Sequence, residues 1–293
     1  MRDLDREVKI NSYSNEPPVS VLLPVYNGGS FVQTTIDSIL KQSFVNFELI
    51  ILNDGSTDST KEILDNLTDR RVKVVHKNNE GLGATLNKGL QMARGEYIAR
   101  IDADDLAHPD RLRMQVEFLQ ENPDISVVGT ATKVIYPDGD EEVRRRPLSW
   151  VEVKQHAIKI CPVVHPTVMM RKDSVLAVGG YDVNYDGSRW KSIGMDYHLW
   201  IKMIAKGYKI ANLPEPLVIN YKSKRSIIGS KSLRFKLFER VRLRLWAKKE
   251  LGLGLKAYFE ILFVAILTVF NHFGVRLDGI FNFLSGVSDS KIK

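Results

Sequence analysis

The strongest constraint on the fold is an alternation of two hydrophobic periods between residues 19 and 102. A short apolar run, VSVLLPVYN, begins at Val19 and reads as a buried strand. From about Phe31 to Lys41 the pattern becomes helical, with Ile36, Ile39 and Leu40 on one face. FELIIL at 47–52 is a second strand, after which Ser56 or Thr57 can cap a helix that runs to about Leu67. VKVVH at 72–76 is a third strand. Gly81 and Gly83 lead into a helix that ends near Arg94, where Gly95 breaks it, and EYIARID at 96–102 is a fourth strand. Strands alternating with helices of these lengths form βαβ units. The chain is therefore predicted to be α/β, a Rossmann-like and mostly parallel sheet flanked by helices. Ligands of such sheets bind beyond the carboxyl ends of the strands.

The pattern beyond Pro109 predicts a helix to about Glu121, strands over 125–136 with a turn at PDGD, a short helix near 150–158 and a strand at 167–171. Loops rich in Gly, Asp and Tyr follow from 179 to 194, then a helix over 195–206 and a strand at YKIANL. The composition, 44% hydrophobic and 26% charged, is that of a globular chain. Cys161 is the one cysteine, so no disulfide forms within the chain; a buried inert thiol in a reducing compartment fits. Residues 1–17 mix charges of both signs around no apolar core, unlike a secretory signal. The catalytic part is thus expected in the cytoplasm.

The strongest chemical signal is ARIDADD at 99–105, a strand that ends in Asp102, Asp104 and Asp105. Carboxylates this close repel one another unless a cation joins them, and hard oxygen ligands suit Mg²⁺ or Mn²⁺. The rival reading is a surface turn capping the helix after Pro109. Asp54 follows the second strand, and Pro24, Val25, Tyr26 and Asn27 end the first. An acid there can bond ribose hydroxyls or a base edge, and Tyr26 offers a stacking face. An Asx turn is the structural alternative for Asp54.

VSVLLPVYNGG, FELIILNDGSTDST, NNEGLGATLNKGL, ARGEYIARIDADD and HPDRLRMQVEFL occur in the order and spacing of a known family. Residues 19–129 resemble the family 2 glycosyltransferases, and the resemblance continues more loosely to residue 221. It implies the GT-A fold, with a donor-binding half at 18–130 and an acceptor half at 131–221. It also implies that Asp54 binds the nucleoside near Pro24, Val25, Tyr26 and Asn27. Asp102 and Asp104 would be the family's Asp-x-Asp motif, the first near the ribose and the second on the metal that bridges the diphosphate. The catalytic base maps to Asp196. There the family carries an acidic pair, and this chain has Met195 in the first place. Many members carry an arginine where this chain has Leu86. His165, in HPTV, either lines the acceptor site or packs, as does His198.

The implied function is inverting, metal-dependent transfer of a sugar from a nucleotide donor, such as a UDP-sugar, to a saccharide. The acceptor is expected to be lipid-linked, in envelope polysaccharide or glycolipid synthesis. Two alternatives are transfer to polyprenyl phosphate and a catalytically silent sugar-nucleotide-binding subunit, which Met195 keeps open. A nucleotidyltransferase fits less well, because PVYNGGS carries no lysine.

The formal net charge is +7, and its excess gathers between Lys222 and Lys249. Residues 222–293 are expected to form a helical extension. Its first part, 231–249, reads as a basic amphipathic helix suited to an anionic membrane surface. The apolar stretch at 257–274 is interrupted by Glu260 and is shorter than the roughly 20 residues that span a bilayer. Interfacial insertion, packing within or between subunits, and a true span all remain open for it. The apolar run favours lipid over nucleic acid as the partner, and a peripheral location at the inner face of the membrane.

Overall fold

The computed structural model describes residues 17–183, 194–222 and 233–272. The polar lead-in, most of the 179–194 loop, the first basic residues of the extension and the C-terminal end lie outside them.

The first half follows the predicted alternation. Its elements are β1 (Val19–Val25), α1 (Val32–Leu40), β2 (Phe47–Asp54), α2 (Thr60–Asp65), β3 (Val72–Lys77), α3 (Leu82–Met92) and β4 (Tyr97–Arg100). Strands β3, β2, β1 and β4 are adjacent and parallel. Burial follows the strand period of two. Leu22, Ile50, Leu52 and Ile98 enter one core with Leu86 and Leu90 of α3. Val21, Leu23, Leu49 and Ile51 enter the other with Ile36 and Ile39 of α1.

The second half comprises β5 (Asp105–Ala107), α4 (Arg111–Glu121), β6 (Ile125–Ile135), β7 (Glu141–Arg144), α5 (Trp150–His156), a 3-10 turn (His165–Thr167), β8 (Met169–Arg171), α6 (Lys172–Ala177), α7 (Met195–Ala205) and β9 (Lys209–Tyr221). Here the sheet is mixed. Strand β8 runs antiparallel to both β4 and β6, while β6 and β9 are parallel. The antiparallel pairs all involve strands of the second half, which also holds the long parallel pair of β6 and β9. Strand β9 is longer than YKIANL suggests, because its register with β6 jumps from Leu213 to Pro216. The bulge absorbs Pro214, while Pro216 keeps its register opposite Ala131. Strand β5 was not legible as a strand: it has three residues, and β9 pairs with it.

Two helices complete the described chain, α8 (Leu233–Glu250) and α9 (Lys256–His272). Leu243 and Ala247 of α8 and Ile261 of α9 are buried in the core beneath α3 and α7.

Candidate functional site

The carboxyl ends of β1, β2 and β4 and the first turn of α7 carry the polar residues. Beyond β1 the backbone turns sharply at Asn27, whose φ of 54° is left-handed. Its side chain fixes that turn: Asn27 Oδ1 accepts from Thr57 N at 2.8 Å, and Asn27 N donates to Ser56 Oγ at 2.9 Å. Gly28 N donates to Thr60 Oγ1 and Gly29 N to Asp58 Oδ2, at 2.9 and 3.0 Å. These bonds join the β1 and β2 loops into one wall. Pro24 and Val25 are buried in it, and Tyr26, 54% exposed, stands at its open face.

Asp54 ends β2 and is buried. Its Oδ1 pairs with Lys77 Nζ and accepts from Glu80 N at 3.0 Å, and its Oδ2 accepts from Gly81 N at 2.9 Å. Burial alone would raise its pKa, but the Lys77 ammonium and these amides outweigh it and hold the carboxyl below the ordinary range. Asp54 therefore shapes the turn that leads into α3. Lys77 carries no local signal of this role; it is brought beside Asp54 because β2 and β3 pair in register.

The three carboxylates after β4 separate into different environments. Asp102 pairs with the buried Arg100 guanidinium and is itself partly exposed. Asp104 is exposed, and its carboxyl is raised by desolvation within the crowded loop and then by the negative charge of Asp102. Asp105 lies within β5, fully buried, and accepts from Asn220 Nδ2 of β9 at 2.6 Å. Burial and the Asp102 charge push Asp105 up to about 7. Asp105 is thus part of the sheet and does not cap α4. Asp102 and Asp104 are the pair that could hold a divalent ion. Their donor set fits one: Mg²⁺ commonly takes one or two protein carboxylates and completes its shell with phosphate and water. Among the described residues no group of three or more His, Cys, Asp or Glu is arranged to hold a metal.

Asp196 occupies the first turn of α7, half-buried. Burial raises its carboxyl, Arg100 opposes the rise and Asp102 adds to it. Asp196 and the Asp102 loop thus share one electrostatic site, although they are far apart in sequence. Arg100 links them. It is 1% exposed, and its Nε and Nη1 have no partner among the described residues. Beneath it Arg111, also buried, donates from Nη2 to the Arg100 carbonyl at 2.6 Å. Neither arginine was legible as a site residue, because both sit in ordinary strand and helix patterns.

The remaining singled-out residues fall into the packing. His165 is buried, bonds Tyr181 Oη through Nε2 at 2.8 Å and meets Trp200 edge-on. Burial holds its pKa well below the usual histidine range. His198 stacks on Trp246 at 4.0 Å. Leu86 is fully buried. Met195 is buried too, with its Sδ only 3.2 Å from where a Cβ on Gly83 would stand. Met195 thus fills space that Gly83 leaves open. Cys161 donates to the Val163 carbonyl, and burial pushes its thiol up to about 12, which makes it inert at neutral pH.

Residues 20–180 match the family model described as glycosyl transferase family 2. A protein of Bacillus subtilis named as a glycosyltransferase, EpsE, is 37% identical over 207 residues, covering 69% of this chain and 72% of that protein. The amylovoran biosynthesis glycosyltransferase AmsE of Erwinia amylovora is 30% identical over 205 residues, covering 68% and 74%. Among solved structures, S. aureus TarS 1–349 in complex with UDP-GlcNAc superposes with a TM-score of 0.65 at 20% identity, covering 89% of this chain and 77% of that one. The mannosyltransferase PcManGT of Pyrobaculum calidifontis, in complex with GDP-Man and Mn²⁺, gives 0.59 at 19% identity, covering 92% and 79%. These likenesses establish the GT-A fold. From the family match across more than half of its length and its identity with EpsE, the chain belongs to glycosyl transferase family 2 and is a glycosyltransferase.

Proposed function

We propose that the chain transfers a sugar, with inversion, from a nucleoside-diphosphate sugar to a saccharide acceptor in polysaccharide or glycolipid synthesis. The observation that carries this reading is the placement of Asp102 and Asp104 just after β4, with the charges of Asp102 and its partner Arg100 felt at both Asp104 and Asp196. The wall formed by Pro24, Val25, Tyr26, Asn27 and Asp54 would receive the nucleoside. Asp102 would face the ribose, and Asp104 would hold Mn²⁺ or Mg²⁺. The metal, when bound, would neutralise the charge that develops on the leaving diphosphate. Asp196 would take the proton of the acceptor hydroxyl. Its raised proton affinity suits that task, and its place in the first turn of α7 keeps the carboxylate near the positive helix end. The names of the neighbours support a nucleotide-sugar donor and a metal. They include both UDP and GDP sugars. Leu86, buried in the core, contributes no polar contact to a base.

The test is donor binding by calorimetry with UDP- and GDP-sugars, with and without Mn²⁺, followed by turnover on lipid extracts. Asp104→Ala should abolish the metal-dependent part of both. Asp196→Asn should keep donor binding and lose about 10²–10⁴-fold in turnover, the usual contribution of a general base. Full turnover by Asp196→Asn would remove that residue from the base role.

A further inference from the structure

Helix α9 has two faces of opposite character. Ala257, Ile261, Val264 and Leu267 are buried, and Ile261 reaches the core beneath α3 and α7. Helices α8 and α9 run antiparallel: Arg240 donates to Thr268 Oγ1 at 3.3 Å, and towards the hairpin turn Lys248 lies 4.4 Å over the Tyr258 ring. On the outward side Leu255, Phe259, Leu262, Ile266 and Phe270 are all exposed, Phe259 by 75%. Steps of four, three, four and four residues align them on one face. At 1.5 Å per residue the stripe is about 22 Å long. A contiguous apolar surface of this size marks an interaction site.

The charges around the stripe identify the partner. Glu260 is the acid of α9, and it turns inward to Lys159 at 3.4 Å. Arg234, Lys249 and Lys256 are exposed on the hairpin, against one exposed acid among its described residues, Glu250. Lys248 adds a cation at the margin of the stripe. A second copy seated symmetrically on this face would bring basic residues against basic residues, since both ends of the hairpin carry exposed cations. An anionic lipid surface meets both the apolar stripe and the positive border. No helix of the described residues is long and apolar enough to cross a membrane, so α9 would lie in the plane of the interface.

We infer that the α8–α9 hairpin docks this protein on an anionic bilayer, with the outward stripe of α9 inserted among the lipid headgroups. The basic amphipathic pattern of 231–249 first pointed to α8 as the lipid-facing helix. The structure moves that role to α9, because Leu243, Arg244 and Ala247 of α8 are turned into the domain. The docking helix pair also touches the acceptor side of the site. Arg244 lies over the Tyr197 ring at 5.2 Å and Trp246 stacks on His198, both one turn or less from Asp196. Docking would therefore hold the first turn of α7 close to the bilayer, where a lipid-linked saccharide is presented. That last step rests on the transferase reading above; the docking itself does not.

The experiment is co-sedimentation of the full chain with phosphatidylcholine vesicles, with and without phosphatidylglycerol. The wild type should sediment with phosphatidylglycerol vesicles, fail to do so with phosphatidylcholine alone, and dissociate as salt is raised. The double variant Phe259→Asp/Leu262→Asp should bind more than about tenfold more weakly, from the loss of two buried apolar side chains. Its affinity for a sugar nucleotide should not change, which shows that it is folded. Three results would overturn the proposal: a wild type that stays in the supernatant at low salt, a variant that binds vesicles equally well, or a wild-type dimer that the variant dissociates. Failure of the wild type to bind any sugar nucleotide would strike the transferase reading and leave the vesicle result standing.

Discussion

Asp104 and Asp105 are adjacent in sequence and identical in chemistry, yet they differ in what they can do. Asp105 is locked in β5 by Asn220, and its Oδ2 is buried without a partner among the described residues. Its ionised form is therefore poorly solvated, and its pKa is raised to about 7. A raised acid binds its proton more tightly in the folded state than in the unfolded one. Its contribution to stability is then full below the ordinary carboxylate range and is lost as pH rises toward 7. Asp105→Asn keeps the acceptor for Asn220 and carries no charge. It should raise the urea midpoint at pH 8 and leave it nearly unchanged near pH 4. An equal shift at both values would mean that the ionisation of Asp105 is not what costs stability. The run of three carboxylates was visible in the sequence. Which of them is drawn into the sheet was not, because the pairing of β5 with β9 decides it.

At the scale of the element, the first turn of α7 is set by its neighbour. Gly194 precedes that turn with φ +75°, and a Cβ there would stand 2.5 Å from Leu243 Cδ1 of α8. Gly194→Ala should cost about 1–3 kcal/mol, from the left-handed backbone and the overlap together. It should also lower turnover more than donor binding, since Asp196 lies two residues on. Chemical unfolding together with separate kcat and donor-affinity measurements would check this; unchanged turnover in a folded variant would separate α8 from the placement of Asp196. The helical period over 195–206 was readable from the sequence. The dependence of its first turn on a helix some fifty residues later was not, because nothing local in either segment encodes the contact.

At the scale of the whole molecule, the compositional change near residue 222 does not mark the edge of the core. Leu243, Ala247 and Ile261 are buried with Trp200, Leu199 and Ile201 of α7. A chain ending at Lys222 would uncover that surface. Burying a large aliphatic side chain is worth about 1.5–3 kcal/mol, so losing Leu243 and Ile261 should cost the truncated chain about 3–6 kcal/mol. That is a large share of the roughly 5–15 kcal/mol of a typical domain. Thermal unfolding of both chains tests it, and an unchanged Tm would make the helices an independent appendage.

The sequence by itself determined the parallel half of the sheet, because strand and helix periods are local and every βαβ step repeats them. It also placed Asp54, Asp102 and Asp104 at strand ends, since the end of an apolar run is visible in one dimension. Tertiary structure decided the rest. It set Asp196 within reach of the Arg100 and Asp102 charges, gave Asp54 its Lys77 partner, turned Asp105 into the sheet, and left the outward face of α9 bare. Each of these depends on which distant segment removes water from a side chain, and desolvation is a property of the packed chain.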